Sequence, residues 1–297
     1  MKNSFKKIVK QFVPPILISA IHCAYKKKRS ADVDTLLKKD GNGNRLIVIG
    51  NGPSLNMTFA KYEKELCSTE CLMVNESAMT PLYVAIKPCY YMLVDPKYYK
   101  DNGYEFYHKT LESLTATIVE KTTWQMKIIM PKSAKGSYTT ERFKANSNLE
   151  VLYYEDGWQI PEGMTQFEAW DKNIIGPPAQ TVLNTAVWLS IYWGYKETYL
   201  IGADTSFIQD IYVGQKDNVL YTVDTHFYKN KDVYDCDFEP EKHGRKFGMD
   251  MEKFLDSVYK MFQSYKELRQ YADWKMVKVY NASEYSLIDC FERKKLR

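Results

Sequence analysis

Histidine is scarce. The 297-residue chain has four, His22, His108, His226 and His243, so any imidazole chemistry rests on a short list. Six cysteines are scattered at Cys23, Cys67, Cys71, Cys89, Cys236 and Cys290. Cys67 and Cys71 have the spacing to share a helix face. No second pair or histidine cluster completes a zinc site, so free buried thiols are expected. No apolar run reaches the roughly 20 residues that a spanning helix needs, and no internal repeat is present. Neither sign of charge dominates. The net charge of +4 is too small to imply nucleic acid. No D-x-D sits at the end of a predicted strand, where metal-dependent sugar transferases would carry it. Asp235-Cys236-Asp237 lies in a polar loop and reads as a solvated acidic turn.

What is present is enough for a folded chain. Hydrophobic residues make up 45%, aromatic residues 14% and charged residues 26%. That suits one large domain or two small ones and argues against disorder. Tyrosine reaches 24 residues, which serve equally to line a polar cleft or to fill a core.

Charge is unevenly spread. Eight of the 41 basic residues, and none of the 37 acidic ones, fall in residues 1–31. Within this part, QFVPPILISAIHCAY (11–25) is apolar between basic clusters. Pro14-Pro15 interrupts it, and KKKR stands where a signal peptidase site would have to lie. Residues 1–30 are therefore expected to be a peripheral segment, with apolar side chains in the headgroup layer and lysines on anionic lipid. The alternative is a basic helix packed on the protein's own surface. Residues 31–44, with their Gly and Asn punctuation, read as a linker.

From residue 45 onward, apolar strands alternate with helical patterns. Strands are expected at 45–50, 71–75, 90–95, 127–131, 150–154, 198–204 and 275–281. Helices are expected at 54–67, 177–195 and 250–272. This alternation predicts one α/β domain over 45–297, with a doubly wound, mostly parallel sheet. Residues 205–249 have little periodicity and read as a lid-like insertion or acceptor-binding region. Folds of this kind bind ligands beyond the carboxyl ends of their strands. Asn51, Ser54, Asn75, Ser77, Asp95, Asp204 and Ser206 each follow a strand and are expected to line one crevice.

The stretch RLIVIGNGPSLN (45–56) is the most informative. Its strand ends in Gly50-Asn51-Gly52-Pro53-Ser54. The glycines would permit positive φ and close ligand approach, and Pro53 and Ser54 would start and cap a helix. A helix N-terminus there would suit a phosphate. The third glycine of a dinucleotide fingerprint and the Lys-Ser/Thr of a P-loop are both missing. A tight structural turn is the alternative.

These residues carry a resemblance. GNGPSL after the first strand resembles bacterial family 42 sialyltransferases. VNESAMTPLYVAIKPCYYMLVDPKYY (74–99), QTVLNTAVWLSIYWGYKETYLIGAD (180–204) and KHGRKFGMDMEKFLD (242–256) resemble the family's later stretches in the same order. Similar again is a broader group of sialyltransferase-like proteins of polysaccharide loci, labelled pterin-pyrophosphokinase-like. It shares GAD-x-S-F (202–207), D-x-HFY (224–228) and YNAS with FER (280–283, 291–293). The resemblance implies a Rossmann-like, GT-A-type variant fold. It also implies a nucleotide site built from Gly50, Asn51, Gly52, Pro53, Ser54, Asn75, Asp95, Thr181, Asn184, Gly202, Asp204 and Ser206. Asp95 stands where the family has an asparagine, and Thr181-Val182 replaces its Thr-Ser pair. Tyr212, Tyr221 and Tyr228 compete for the family's two phosphate-binding tyrosines.

An inverting sugar transfer needs a base near the acceptor hydroxyl and groups that stabilise the leaving phosphate. His226, which Asp224 could orient, and His243, which matches the family's catalytic histidine by its spacing to FLD, are both candidates. The resulting expectation is a glycosyltransferase of surface polysaccharide or lipooligosaccharide synthesis. Its donor would be a CMP-activated sugar acid, its acceptor a glycan or lipid-linked glycan, and it would need neither metal nor cofactor. It would lie in the cytoplasm at the inner membrane. The alternatives are a nucleotide-dependent pyrophosphokinase, with Mg²⁺ on Asp95 and Asp204, and a non-catalytic nucleotide-sugar-binding subunit.

Overall fold

A computed structural model describes residues 43–100, 105–157, 159–177, 180–223 and 244–297. The basic apolar segment, most of the linker, His22, Asp224, His226, Tyr228, Cys236 and His243 lie outside these residues.

The first strand sets the architecture. In β1 (Arg45–Ile49), Leu46, Ile47, Val48 and Ile49 are all fully buried. A run apolar on both faces can only sit in the middle of a covered sheet. It pairs in parallel with β2 (Cys71–Val74) on one side and β6 (Glu197–Ile201) on the other. Beyond β2 the sheet continues through β3 (Tyr90–Met92), β4 (Met126–Pro131) and β5 (Leu149–Tyr154). Beyond β6 it continues through β10 (Lys278–Asn281) and β11 (Glu292–Arg293). All of these pairings are parallel. The chain thus winds outward from β1 to one edge, returns across the sheet and winds outward to the other. The turning point of the topology lies between β1 and β6.

Alternate strand residues feed two cores. Leu46, Val48, Leu72, Val74, Tyr90 and Met92 face the first core. It is covered by α5 (Gln166–Asp171), α6 (Val182–Trp193) and α7 (Met251–Trp274). Ile47, Ile49, Cys71, Met73, Tyr91 and Leu93 face the second. This side is covered by α1 (Leu55–Ser68), α2 (Pro81–Ile86), α3 (Glu105–Lys121) and α4 (Tyr138–Phe143). Helix α6 is buried over most of its circumference, because it is wedged between the sheet and α7. Trp188 within it is fully buried and stacks on Tyr192 with ring centroids 5.3 Å apart.

Several predicted boundaries move. The third strand stops at Met92 rather than residue 95, because Asp95 caps a short 3-10 turn opened by Pro96. The sixth strand stops at Ile201, since Gly202 turns with φ +57°. Helix α6 begins only at Val182, beyond the two prolines, and ends at the left-handed Gly194. The described part of the insertion is not irregular. Its strands β7 (Ile211–Val213), β8 (Leu220–Thr222) and β9 (Arg245–Lys246) form a small antiparallel sheet. The four described cysteines are free. Cys71 is buried in β2, within the expected strand, so it shares no helix face with Cys67, which is exposed on α1 contrary to the expectation of buried thiols. His108 falls within α3.

Trp188→Ala is expected to remove about 3–5 kcal/mol, because α6 is clamped on both sides and the void cannot collapse. Equilibrium urea unfolding would show this as a lower midpoint at nearly unchanged slope.

Candidate functional site

The glycine loop meets the turn after β6 at the point where the topology reverses. Gly50 N–H donates to the Ile201 carbonyl at 2.9 Å, and Gly52 N–H donates to the Gly202 carbonyl at 2.8 Å. A Cβ on Gly50 would stand 2.5 Å from the Gly202 oxygen, and one on Gly52 would overlap the Asp204 carboxylate. Neither glycine has positive φ; Gly202 does. The expected backbone freedom is therefore not what Gly50 and Gly52 supply. They let two backbone turns touch.

Asp204 is the keystone of this contact. It is only 2% exposed. One carboxylate oxygen accepts from Ser54 N–H at 2.8 Å and the other from Ser54 Oγ at 2.6 Å. A carboxylate thus sits at the N-terminus of the 14-residue helix α1, where the dipole favours an anion. Ser54 does not cap the helix through its own side chain, as its sequence position suggested. It hands that role to a residue 150 positions away.

The expected single crevice is divided. Ser54 and Asp204 are buried against each other. Asn51 and Ser77 also bond to each other, Ser77 Oγ donating to Asn51 Oδ1 at 2.7 Å. Asn75, Asp95 and Thr181 instead line an open cleft of about 850 Å³. Its walls come from the ends of β2 to β5, from α5, from the N-terminus of α6 and from the middle of α7.

Three polar groups of the cleft have a local cause. Asn75 follows β2 with φ +54°, and its buried Oδ1 has no hydrogen-bond partner. Asp95 is held by the Lys97 N–H at 3.0 Å, which leaves its other oxygen free of that turn. Thr181 precedes α6, where Asn184 Oδ1 accepts from the Thr181 N–H at 3.2 Å. Asn184 itself is fully buried beneath the helix start, its Nδ2 without a partner. Sequence reasoning missed Tyr99, Tyr154, Asp156, Trp170 and Glu267, which also line the cleft. Asp156 stands two residues beyond β5, so the strand-end rule applied to Tyr154-Glu155-Asp156 would have found it. Trp170 and Glu267 lie inside helices and carry no local signal. Trp170 is fully buried and its indole N–H is unpartnered. The Tyr99 hydroxyl is pushed above its ordinary pKa, chiefly by burial, with the Asp156 and Asp95 charges adding to the rise and a Ser133 hydrogen bond opposing it.

The remaining candidates sit apart. Ser206 opens a 3-10 turn, half-buried. Tyr212 and Tyr221 face each other across β7 and β8. The Tyr221 hydroxyl donates to Asp217 at 2.7 Å, and neither ring lines the cleft. Among the described residues no group of three or more His, Cys, Asp or Glu side chains is arranged to hold a metal ion. No lysine or arginine lines the cleft among these residues, so the described group best placed to meet an anion there is the α6 N-terminus.

Asp204→Ala should cost about 2–4 kcal/mol, because it strands two buried Ser54 donors. Ser54→Ala should cost little more when added to it. Thermal unfolding of the two single variants and the double variant checks this, and additive losses would refute the coupling.

No family model matches the chain, and no curated protein matches it. Among solved structures it is similar to that of the MAf glycosyltransferase from Magnetospirillum magneticum AMB-1. The identity is 15% and the TM-score 0.48, over 89% of this chain and 36% of that one. The chain thus spans about a third of that protein's length.

Proposed function

We propose that the protein transfers a glycosyl group from a nucleotide-activated sugar to an acceptor hydroxyl, with the donor bound in the strand-end cleft. One observation carries this reading. A cleft of about 850 Å³ at the carboxyl ends of a parallel sheet combines an unpaired acceptor, Asn75 Oδ1, with a helix N-terminus. That volume lies within the range of small-molecule sites, about 300–1,000 Å³. Asp95, Asp156 and Asn75 offer acceptors to ribose or sugar hydroxyls, and Tyr99 and Tyr154 offer ring faces. The α6 N-terminus, with Thr181 at its head, offers N–H groups to an anionic part of the donor.

Within this reading the donor is a CMP-linked sugar acid, as the resemblance to family 42 sialyltransferases implies. The acceptor is a glycan of a surface polysaccharide or lipooligosaccharide. Transfer is inverting. The acceptor oxygen bonds to the anomeric carbon while its proton passes to His226 or His243. The bond from that carbon to the phosphate oxygen breaks, and CMP leaves with the electron pair. Tyr228 and the α6 N-terminus stabilise the phosphate without a metal. The basic segment 1–30 keeps the enzyme at an anionic membrane surface. No helix among the described residues is long and apolar enough to cross a membrane. The pyrophosphokinase alternative needs Asp95 and Asp204 to share Mg²⁺. It is disfavoured, because Asp204 is buried on Ser54 while Asp95 faces the cleft.

Calorimetry of the full chain with CMP, CDP, UDP and ATP tests the site. CMP should bind, and Asp95→Asn and Thr181→Val should each weaken it about tenfold, the effect of one charge-assisted hydrogen bond. A parent protein that binds none of the four overturns the reading.

The base is tested by kinetics. Loss of a general base costs typically 10²- to 10⁴-fold in turnover with little change in donor affinity. His226→Ala or His243→Ala should behave this way in transfer from a CMP-sugar, but not both equally. Turnover that survives in both variants removes the histidine mechanism.

A further inference from the structure

We infer that Asn51 of the glycine loop acts on the cleft through Asn75, as a positioning residue, rather than by touching the ligand itself. The inference rests on the reading of the cleft as a nucleotide site.

Asn75 holds an unusual conformation. Its φ of +54° lies in the left-handed region, which a residue with a side chain adopts at a cost. That conformation is set by the two peptide planes flanking its Cα, and each plane is pinned from a different direction. The plane before it carries the Val74 carbonyl, which accepts from Asn51 Nδ2 at 3.3 Å. The Ser77 hydroxyl lies within bonding reach of both that carbonyl and Asn51 Oδ1. Its single proton serves one of them at a time. The plane after it carries the Asn75 carbonyl, which accepts from the Tyr91 hydroxyl. Tyr91 is fully buried, and its oxygen also accepts from Ala78 N–H at 2.9 Å.

Asn51 is thus one jaw of a clamp and Tyr91 the other. Both polar ends of the Asn51 side chain are committed to the corner after β2. Asn51 is absent from the cleft lining, whereas Asn75 belongs to it and has the unpaired Oδ1. The loop that holds Asn51 is itself fixed by the bond between Ser54 and Asp204. The sequence signal GNG therefore bears on the ligand at one remove. It sets the backbone angle at which Asn75 lines the cleft.

A stability cycle tests the clamp without any ligand. Asn51→Ala should lower the thermal midpoint by about 2–4 °C. In an Asn75→Gly background the loss should fall below half, because glycine holds positive φ without a clamp. An equal loss in both backgrounds overturns the inference. Calorimetry with CMP then tests the consequence. Asn51→Ala should weaken CMP about fivefold to tenfold in the parent background and have no further effect in Asn75→Ala. A full additional loss in Asn75→Ala means that Asn51 meets the nucleotide directly, and the inference fails. If CMP and the other three nucleotides do not bind the parent at all, the nucleotide reading fails, and the stability cycle alone decides the clamp.

Discussion

A carboxylate at the N-terminus of a helix holds the centre of this molecule. Asp204 takes both donors of Ser54, and in doing so ties the end of β6 to the start of α1. The tie spans the turning point of the sheet, where the two directions of winding would otherwise diverge. Without it, two glycine-containing turns would face each other with only backbone contacts between them. The surrounding chain reinforces it. Ser283 Oγ accepts from the Ala203 N–H at 3.0 Å, and Leu287 N–H donates to the Asp204 carbonyl at 3.0 Å.

This constraint separates structure from site along the carboxyl edge of the sheet. On the β1–β6 side, Ser54 and Asp204 are spent on each other and buried. On the β2–β5 side, polar residues remain open around a cleft. The division follows from geometry. Next to the turning point, loops leave in opposite directions, and here a self-made anion closes the gap. Further out, α6 returns across the sheet and leaves a space bounded by its own N-terminus. The sharp bend of the glycine loop has the same origin. A backbone bends so sharply there because another backbone lies within hydrogen-bond distance.

Much of the architecture was legible in the sequence because it depends on local pattern. Buried runs such as Leu46–Ile49 announce central strands, and Gly194 marks the end of α6 in the expected place. The cleft was half legible. Asn75 and Asp95 follow from the strand-end rule, and Thr181 was named only through the family resemblance. Asp156 obeys the same rule, but its strand was followed no further. Trp170 and Glu267 reach the cleft from inside helices, and only the crossing of α5, α6 and α7 brings them there. The partnership of Ser54 with Asp204 was illegible for a related reason. A serine before a helix looks like a self-sufficient cap, and nothing local says that its partner arrives from a later strand. The same holds for the antiparallel sheet of β7, β8 and β9, whose strands are too short to show a period.

Residues 283–293 lock the turn that contains Asp204. Ser286 Oγ donates to the Ala203 carbonyl at 2.6 Å, and Arg293 Nη2 donates to the Ser283 carbonyl at 2.6 Å. The loop that meets them is among the first parts of the described chain to leave the ribosome. Its glycines, its serine and the helix behind them must therefore wait until Asp204, 150 positions further on, has been made before their seat exists. Until then α1 carries an uncompensated N-terminus, and β1 lacks its neighbour on one side. The centre of the sheet closes only once β6 and Asp204 have followed, and until then the nascent chain carries an open β1 edge.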